Sequence, residues 1–154
     1  MGRGLKIALL LAAVVAAYLI YRSCSQEDEA VIRGGIQEMA AAAEARDAQK
    51  FMEHFSSHYR DSQGNSAFVL FQIVKNLFGQ VEELKVKISD VSVMVAGDQA
   101  FATLAVVAAA RREGQMVYPF GREDSPEHPR ITFQKEGLSW KIVKVEGVEH
   151  GGME

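Results

Sequence analysis

Residue types able to do chemistry are few in this chain, and they gather in one short stretch. His54 and His58 stand four apart, the spacing that sets two imidazoles on one helical face, and Glu53 adjoins the first. The order is not His-Glu-x-x-His, no third ligand is evident, and Ser56-Ser57 falls where a helix would be ending. Solvated or rim histidines are therefore expected in place of a metal centre. Tyr59 and Asp61 follow at once, a phenol and a carboxylate whose pKa values respond to burial and to neighbouring charge. There is no glycine-rich phosphate loop, internal repeat or low-complexity tract, and no cofactor is implied. A formal charge of -3 without a basic cluster argues against nucleic acid, whose binding rests on clustered Lys and Arg. The single cysteine, Cys24, excludes an internal disulfide framework and any multi-cysteine metal site.

The elements that must position these residues begin with an apolar run from Leu5 to Tyr21, interrupted only by Lys6. As a helix it reaches roughly 25 Å, the short end of what a hydrocarbon core of about 30 Å requires, with Tyr18 and Tyr21 suited to an interface. Its exit, Tyr18-Leu-Ile-Tyr-Arg22, is bulky and then charged, unlike the small residues of a signal-peptide cleavage site, so residues 1–21 read as an uncleaved single-pass anchor. Cys24 lacks the preceding small residues of a lipoprotein cysteine. Arg3, Lys6 and the amino terminus outweigh Arg22 and the acids after it, which leaves the N-terminus cytoplasmic and the following domain extracytoplasmic, in a bacterium the periplasm. Residues 22–29 are expected to be a polar linker, residues 30–148 one domain, and residues 149–154 a flexible tail.

Within the domain, Ile32, Ile36, Met39 and Ala43 fall at helical spacing, and the register resumes after Asp47 with Ala48, Phe51 or Met52, Phe55 and Tyr59. Two helices in series are expected with Asp47 capping the second, and Gly34-Gly35 marks a hinge or a close backbone contact in the first. Asn65 or Ser66 caps a third helix running to about Gln80, so apolar around its circumference that it must be wrapped by other elements or line a cavity. From Leu84 the period becomes two. The apolar phase slips from Leu84, Val86 and Ile88 to Val91, Val93 and Val95, which places a β-bulge near Ser89-Asp90 and curves the sheet. Turns at Gly97-Asp98, Glu113-Gly114-Gln115 and Glu136-Gly137 separate strands at Ala100–Ala110, Met116–Phe120, Arg130–Lys135 and Leu138–Glu146, with a polar loop from Gly121 to Pro129. Helices followed by antiparallel hairpins imply an α+β fold with the helices packed on one face of a curved antiparallel sheet.

The chain resembles the nuclear-transport-factor-2-like superfamily, the cone-shaped fold shared by SnoaL-like polyketide cyclases, ketosteroid isomerases and scytalone dehydratase. The resemblance is carried by Ala45-Arg46-Asp47 with Phe51 and Phe55, by His58-Tyr59-Arg60-Asp61 with Gly64, by Gly97-Asp98-Gln99-Ala100, and by Glu136-Gly137 with Trp140-Lys141-Ile142. These residues build the cone and are not a catalytic signature. The Tyr-Arg-Asp with its nearby glycine is similar to that of membrane-anchored bacterial members.

The resemblance implies two functional classes, beside which stands a structural subunit whose cone is solid with side chains and which interacts through the sheet and the loop from Gly121 to Pro129. In the first, the domain performs no chemistry and binds a small apolar ligand or a protein partner, with Phe55, Tyr59, Phe71, Val74, Phe78 and Trp140 lining a pocket. In the second, it is a cofactor-free isomerase, dehydratase or cyclase in which Asp61 is the base and Tyr59 or His54 assists. The long strand offers only Thr103 as a further polar group, which weighs against catalysis. Its alanines at 100, 102, 105, 108, 109 and 110 are poor strand formers and call for a helix packed close against the sheet, a cavity, or a second copy docked on the outer face of the sheet, as members of this superfamily commonly dimerise.

Overall fold

A computed structural model describes residues 2–148; the expected tail at 149–154 lies outside them. Its first element is a single helix, α1, from Arg3 to Glu44. The apolar run and the first helix of the domain are therefore one element, and residues 22–29, expected as a linker, are part of it. Arg22, Glu27 and Glu29 are good helix formers and nothing in this stretch breaks a helix. The helix also continues through Gly34-Gly35, so the pair is not a hinge. A Cβ on Gly35 would lie 3.5 Å from Nδ1 of His54, and this is the close approach.

Asp47 caps α2 by accepting from the Lys50 N–H at 3.0 Å, but α2 spans only Ala48–Met52, not the stretch to Tyr59 that the spacing predicts. Beyond it the backbone opens and joins the sheet. Ser56 N–H donates to Ile142 O at 2.9 Å, Ile142 N–H to His54 O at 2.8 Å, and Arg60 N–H to Val143 O at 3.1 Å. Helix α3, Ala67–Gln80, starts at Ser66, whose Oγ accepts from Val69 N–H at 3.3 Å.

Five antiparallel strands follow: β1 Glu83–Ala96, β2 Gln99–Arg112, β3 Gln115–Phe120, β4 Arg130–Glu136 and β5 Ser139–Glu146. Their order is β1-β2-β4-β5, with β3 also paired to β2 beyond the end of β4. The β1–β2 register shifts between Ser89 and Ser92, with Asp90 at φ +53°, where the change of hydrophobic phase predicted a bulge. Arg33 Nη1 on α1 donates to the exposed carbonyl of Val91 at 2.9 Å, and Val86 N–H donates to Glu44 Oε1 at 3.0 Å, so α1 is fastened to β1 at two levels.

The even residues of β2 face the helices. Ala100, Ala102 and Leu104 pack in one core cluster with Ile32, Ile36, Phe133 and Ile142, and Ala108 and Ala110 pack in a second with Ala43, Val74 and Phe78. Small side chains let the helices approach the sheet, so the strand's poor intrinsic propensity is offset by close packing. On the outer face, Ala105 and Val107 are also buried. The loop from Gly121 to Pro129 lies over them, held by paired main-chain bonds between Val106 and Glu127 at 2.8 and 3.0 Å. Gly121 makes this possible: it has φ +64°, and a Cβ there would sit 2.5 Å from Val106 O.

Candidate functional site

Tyr59, Asp61 and His54 all lie on the irregular segment that leaves α2, and the backbone pairing with β5 fixes where each points. Tyr59 turns inward and is 2% exposed. Its ring meets Phe55 edge-on with centroids 5.2 Å apart; Phe55 lies 5.6 Å from Phe51, and Phe51 5.9 Å from Phe78. This file of four rings ties the two core clusters together. Burial, reinforced by the negative charge of Asp61, pushes the Tyr59 phenol up to about 12. The hydroxyl thus stays protonated at neutral pH.

Asp61 is engaged by its own turn. Its Oδ1 accepts from Gln63 N–H at 2.9 Å and from Asn65 N–H at 2.8 Å, while Oδ2 accepts from the Asn65 side-chain amide at 2.9 Å. Gly64, at φ +84°, closes that turn. The Tyr-Arg-Asp with its nearby glycine therefore has a structural use: an aspartate that folds the crossing from α2 to α3 around itself.

His54 faces α1, with Nε2 3.6 Å from Glu38 Oε2. Desolvation lowers its pKa, against the pull of Glu38, which raises it. His58 is exposed, and because the helix stops at Met52 the two imidazoles do not share a helical face. Among the described residues, no group of three or more His, Cys, Asp or Glu side chains is placed to hold a metal ion.

The six side chains expected to line a pocket are divided. Phe55, Tyr59 and Trp140 belong to the cluster under Ile32 and Ile36, Val74 and Phe78 to the cluster around Ala43, and Phe71 is half-buried with the Lys75 ammonium 5.9 Å from its ring. The helix α3 is not wrapped by other elements. Val74 and Phe78 face inward, whereas Phe68, at 71% exposed, Val69 and Ile73 face out. Two of the surface depressions lie away from Tyr59. One of about 210 Å³ lies between the Gly121–Pro129 loop and β1, with Lys87 Nζ 3.4 Å from Glu123 Oε2, and one of about 400 Å³ lies along Gln72, Asn76 and Gln80.

Two polar anchors in the core were not foreseen. Ser56, 2% exposed, donates from Oγ to Glu136 Oε1 at 2.9 Å and accepts from His58 N–H at 3.0 Å. Asp28 on α1 accepts from Trp140 Nε1 at 3.0 Å and from Lys135 Nζ at 3.2 Å, with the Lys135 ammonium 5.5 Å from the centre of the Trp140 ring. A signal for the second was present: Asp28, Ile32 and Ile36 are four apart, so an acid sits on the apolar stripe where only a partner could justify it.

No family model matches the chain, and no curated protein matches it in sequence. Solved structures do match. A protein of Novosphingobium aromaticivorans, described as nuclear-transport-factor-2-like with a cystatin-like fold, superposes with a TM-score of 0.64 at 19% identity, covering 90% of this chain and 90% of that one. This chain has the nuclear-transport-factor-2-like fold. A second Novosphingobium aromaticivorans protein, provisionally named a scytalone dehydratase, gives a TM-score of 0.66 at 11% identity over 79% of this chain and 83% of its own. A Bdellovibrio bacteriovorus protein gives 0.62 at 17% identity over 75% of this chain; the match spans 39% of that longer protein. At these identities the likeness establishes how the nuclear-transport-factor-2-like domain is built and leaves its activity to be argued from its own residues.

Proposed function

We propose that this chain is a membrane-tethered interaction domain, extracytoplasmic and without catalysis, whose cone is a solid scaffold and whose contacts are made by its surface with a protein partner. The observation that carries this reading is the filled interior. Tyr59, Trp140, Phe133 and Ile142, in one core cluster, are all nearly inaccessible, and Asp61, two residues after Tyr59, is engaged in its own turn. The outward apolar strip Phe68, Val69 and Ile73 on α3 supports contact at the surface over capture of a small ligand within. Residues 4–44 include a window of mean hydropathy 2.1 with none of it buried, the length and composition of a helix that crosses a bilayer. The balance of positive charge around that segment supports the outward orientation.

Native mass spectrometry of the detergent-purified full chain tests the proposal. The expected result is the mass of the chain, as a monomer or as a dimer formed through the outer sheet face, with no small-molecule adduct; a stoichiometric apolar adduct would replace the surface reading with ligand binding. The provisional dehydratase among the structural neighbours favours one second reading, cofactor-free dehydration or isomerisation with Asp61 as base and Tyr59 or His54 assisting. That reading requires Asp61→Asn to abolish a turnover that the wild-type chain performs while the protein remains folded.

A further inference from the structure

The end of the domain that faces the anchor carries an apolar side chain with no cover. Leu138 occupies the tip of the β4–β5 hairpin, beside Gly137 at φ +62°, and is 97% exposed. Its position relative to the anchor is fixed by contacts on both sides of the tip: Lys135, three residues before it, and Trp140, two residues after, both bind Asp28 of α1. Asp28 lies seven residues beyond Tyr21 on an unbroken helix, roughly 10 Å along its axis.

The direction of the hairpin follows from the core. Ile32 and Ile36 pack with Ala100 and Ala102, and the later Ala43 packs with Ala108 and Ala110, so β2 runs alongside α1 in the same sense. The strand β4 is antiparallel to β2, with Gln134 opposite Gln99, and it therefore runs back toward the anchor. The β1–β2 turn reaches the same end, where Asp98 O accepts from Lys135 N–H at 2.8 Å. Two strand residues beyond the level of Asp28 advance the tip by roughly 6 to 7 Å. This leaves Leu138 about 4 Å above the level of Tyr21, inside an interfacial layer roughly 5 to 8 Å thick.

We infer that the β4–β5 tip is a second membrane contact, with Leu138 seated among the lipid headgroups while α1 holds the domain against the bilayer surface. The inference rests on the reading of residues 5–21 as a bilayer anchor. An apolar side chain fully in water gains free energy from such a site, and a hairpin clamped to the anchor helix pays no further entropy to reach it. The domain then stands in a defined orientation, with the Gln115 end of the sheet directed away from the membrane.

The test uses the full chain with Cys24→Ser, reconstituted in phosphatidylcholine vesicles, with an environment-sensitive fluorophore on Leu138→Cys, on Gln115→Cys or on Leu10→Cys. Lipids carrying a nitroxide on the headgroup should remove about half or more of the emission at 138 and leave that at 115 unchanged, while acyl-chain nitroxides quench the label at 10. A label at 138 as insensitive as the one at 115, with quenching at 10 intact, overturns the hairpin contact alone. Loss of quenching at both 10 and 138 overturns the anchor as well.

Discussion

The two halves of α1 are one helix with two patterns of exposure. Between Leu5 and Tyr21 the large apolar side chains are uniformly exposed, whichever way they point. Between Ala30 and Glu44 exposure follows the helical period: Ile32, Ile36, Ala42 and Ala43 are buried while Val31 is not. The first half has no inward side, the pattern of the bilayer anchor proposed above; the second carries a stripe and needs a sheet. Continuity of the backbone between them makes the apolar half a direct extension of the helix that packs in the core.

The sharpest way to break this comparison is to place the same charge in each half. Ile32→Asp buries a carboxylate at a site 1% exposed among apolar neighbours and should cost about 4 kcal/mol or more, leaving no cooperative thermal transition of the domain. Leu11→Asp should leave that transition where it is in detergent and instead weaken bilayer insertion by about 3 kcal/mol, read from the fraction of chain that floats with vesicles. Equal effects on the domain would erase the distinction between the halves.

A smaller effect is expected at the junction. Asp28→Ala strips the acceptor from Trp140 Nε1 and from Lys135, both partly buried, and should lower stability by about 1 to 3 kcal/mol in denaturant titration. The same substitution should loosen the hairpin, so the label at 138 should lose part of its quenching.

The core side of the comparison has a pH signature. The Tyr59 phenol ionises at about 12 when folded and at 10.0 in its ordinary state, so between those values the unfolded chain loses the proton while the native state keeps it. Stability contributed by Tyr59 is complete below pH 10 and is lost as the pH rises toward 12, and Tyr59→Phe should flatten this part of the curve.

Finally, Gly34→Ala should stabilise the domain by about 0.5 to 1 kcal/mol, since the added Cβ meets nothing within 4 Å and alanine favours a helix interior. A destabilising result would point to a bend at this pair.

Much of the sheet was legible in the sequence because its signals are local. The period of two, its phase slip at Ser89-Asp90, and glycines at 97, 114 and 137 that the structure places at positive φ mark strands, bulge and turns with little help from the rest of the chain. The stretch from Glu53 to Tyr59 misled for a physical reason. Phe51, Phe55 and Tyr59 are four apart, as on a helix, and their rings do meet, but the backbone between them runs in successive turns beside β5, where Ser56 and Arg60 find main-chain partners. With the helix gone, the shared histidine face goes too. The fusion of anchor and domain helix was hidden because a polar stretch of helix formers reads equally well as a linker; only the burial of Asp28 against Trp140 and Lys135 decides. Of the pocket drawn from Phe55, Tyr59, Phe71, Val74, Phe78 and Trp140, all but the half-buried Phe71 lie in the two core clusters, because apolar side chains in a cone pack against one another as readily as they line a pocket.

The central claim is that α1 runs unbroken from the apolar segment proposed as the anchor into the core, and amide hydrogen exchange of the full chain in lipid nanodiscs tests it most directly. Amides from Arg22 to Glu29 should be protected as a continuation of those from Ile32 to Ala43. Exchange across residues 22–29 at the rate of an unstructured peptide, with protection beginning only near Ala30, would contradict it and return the domain to a flexible tether.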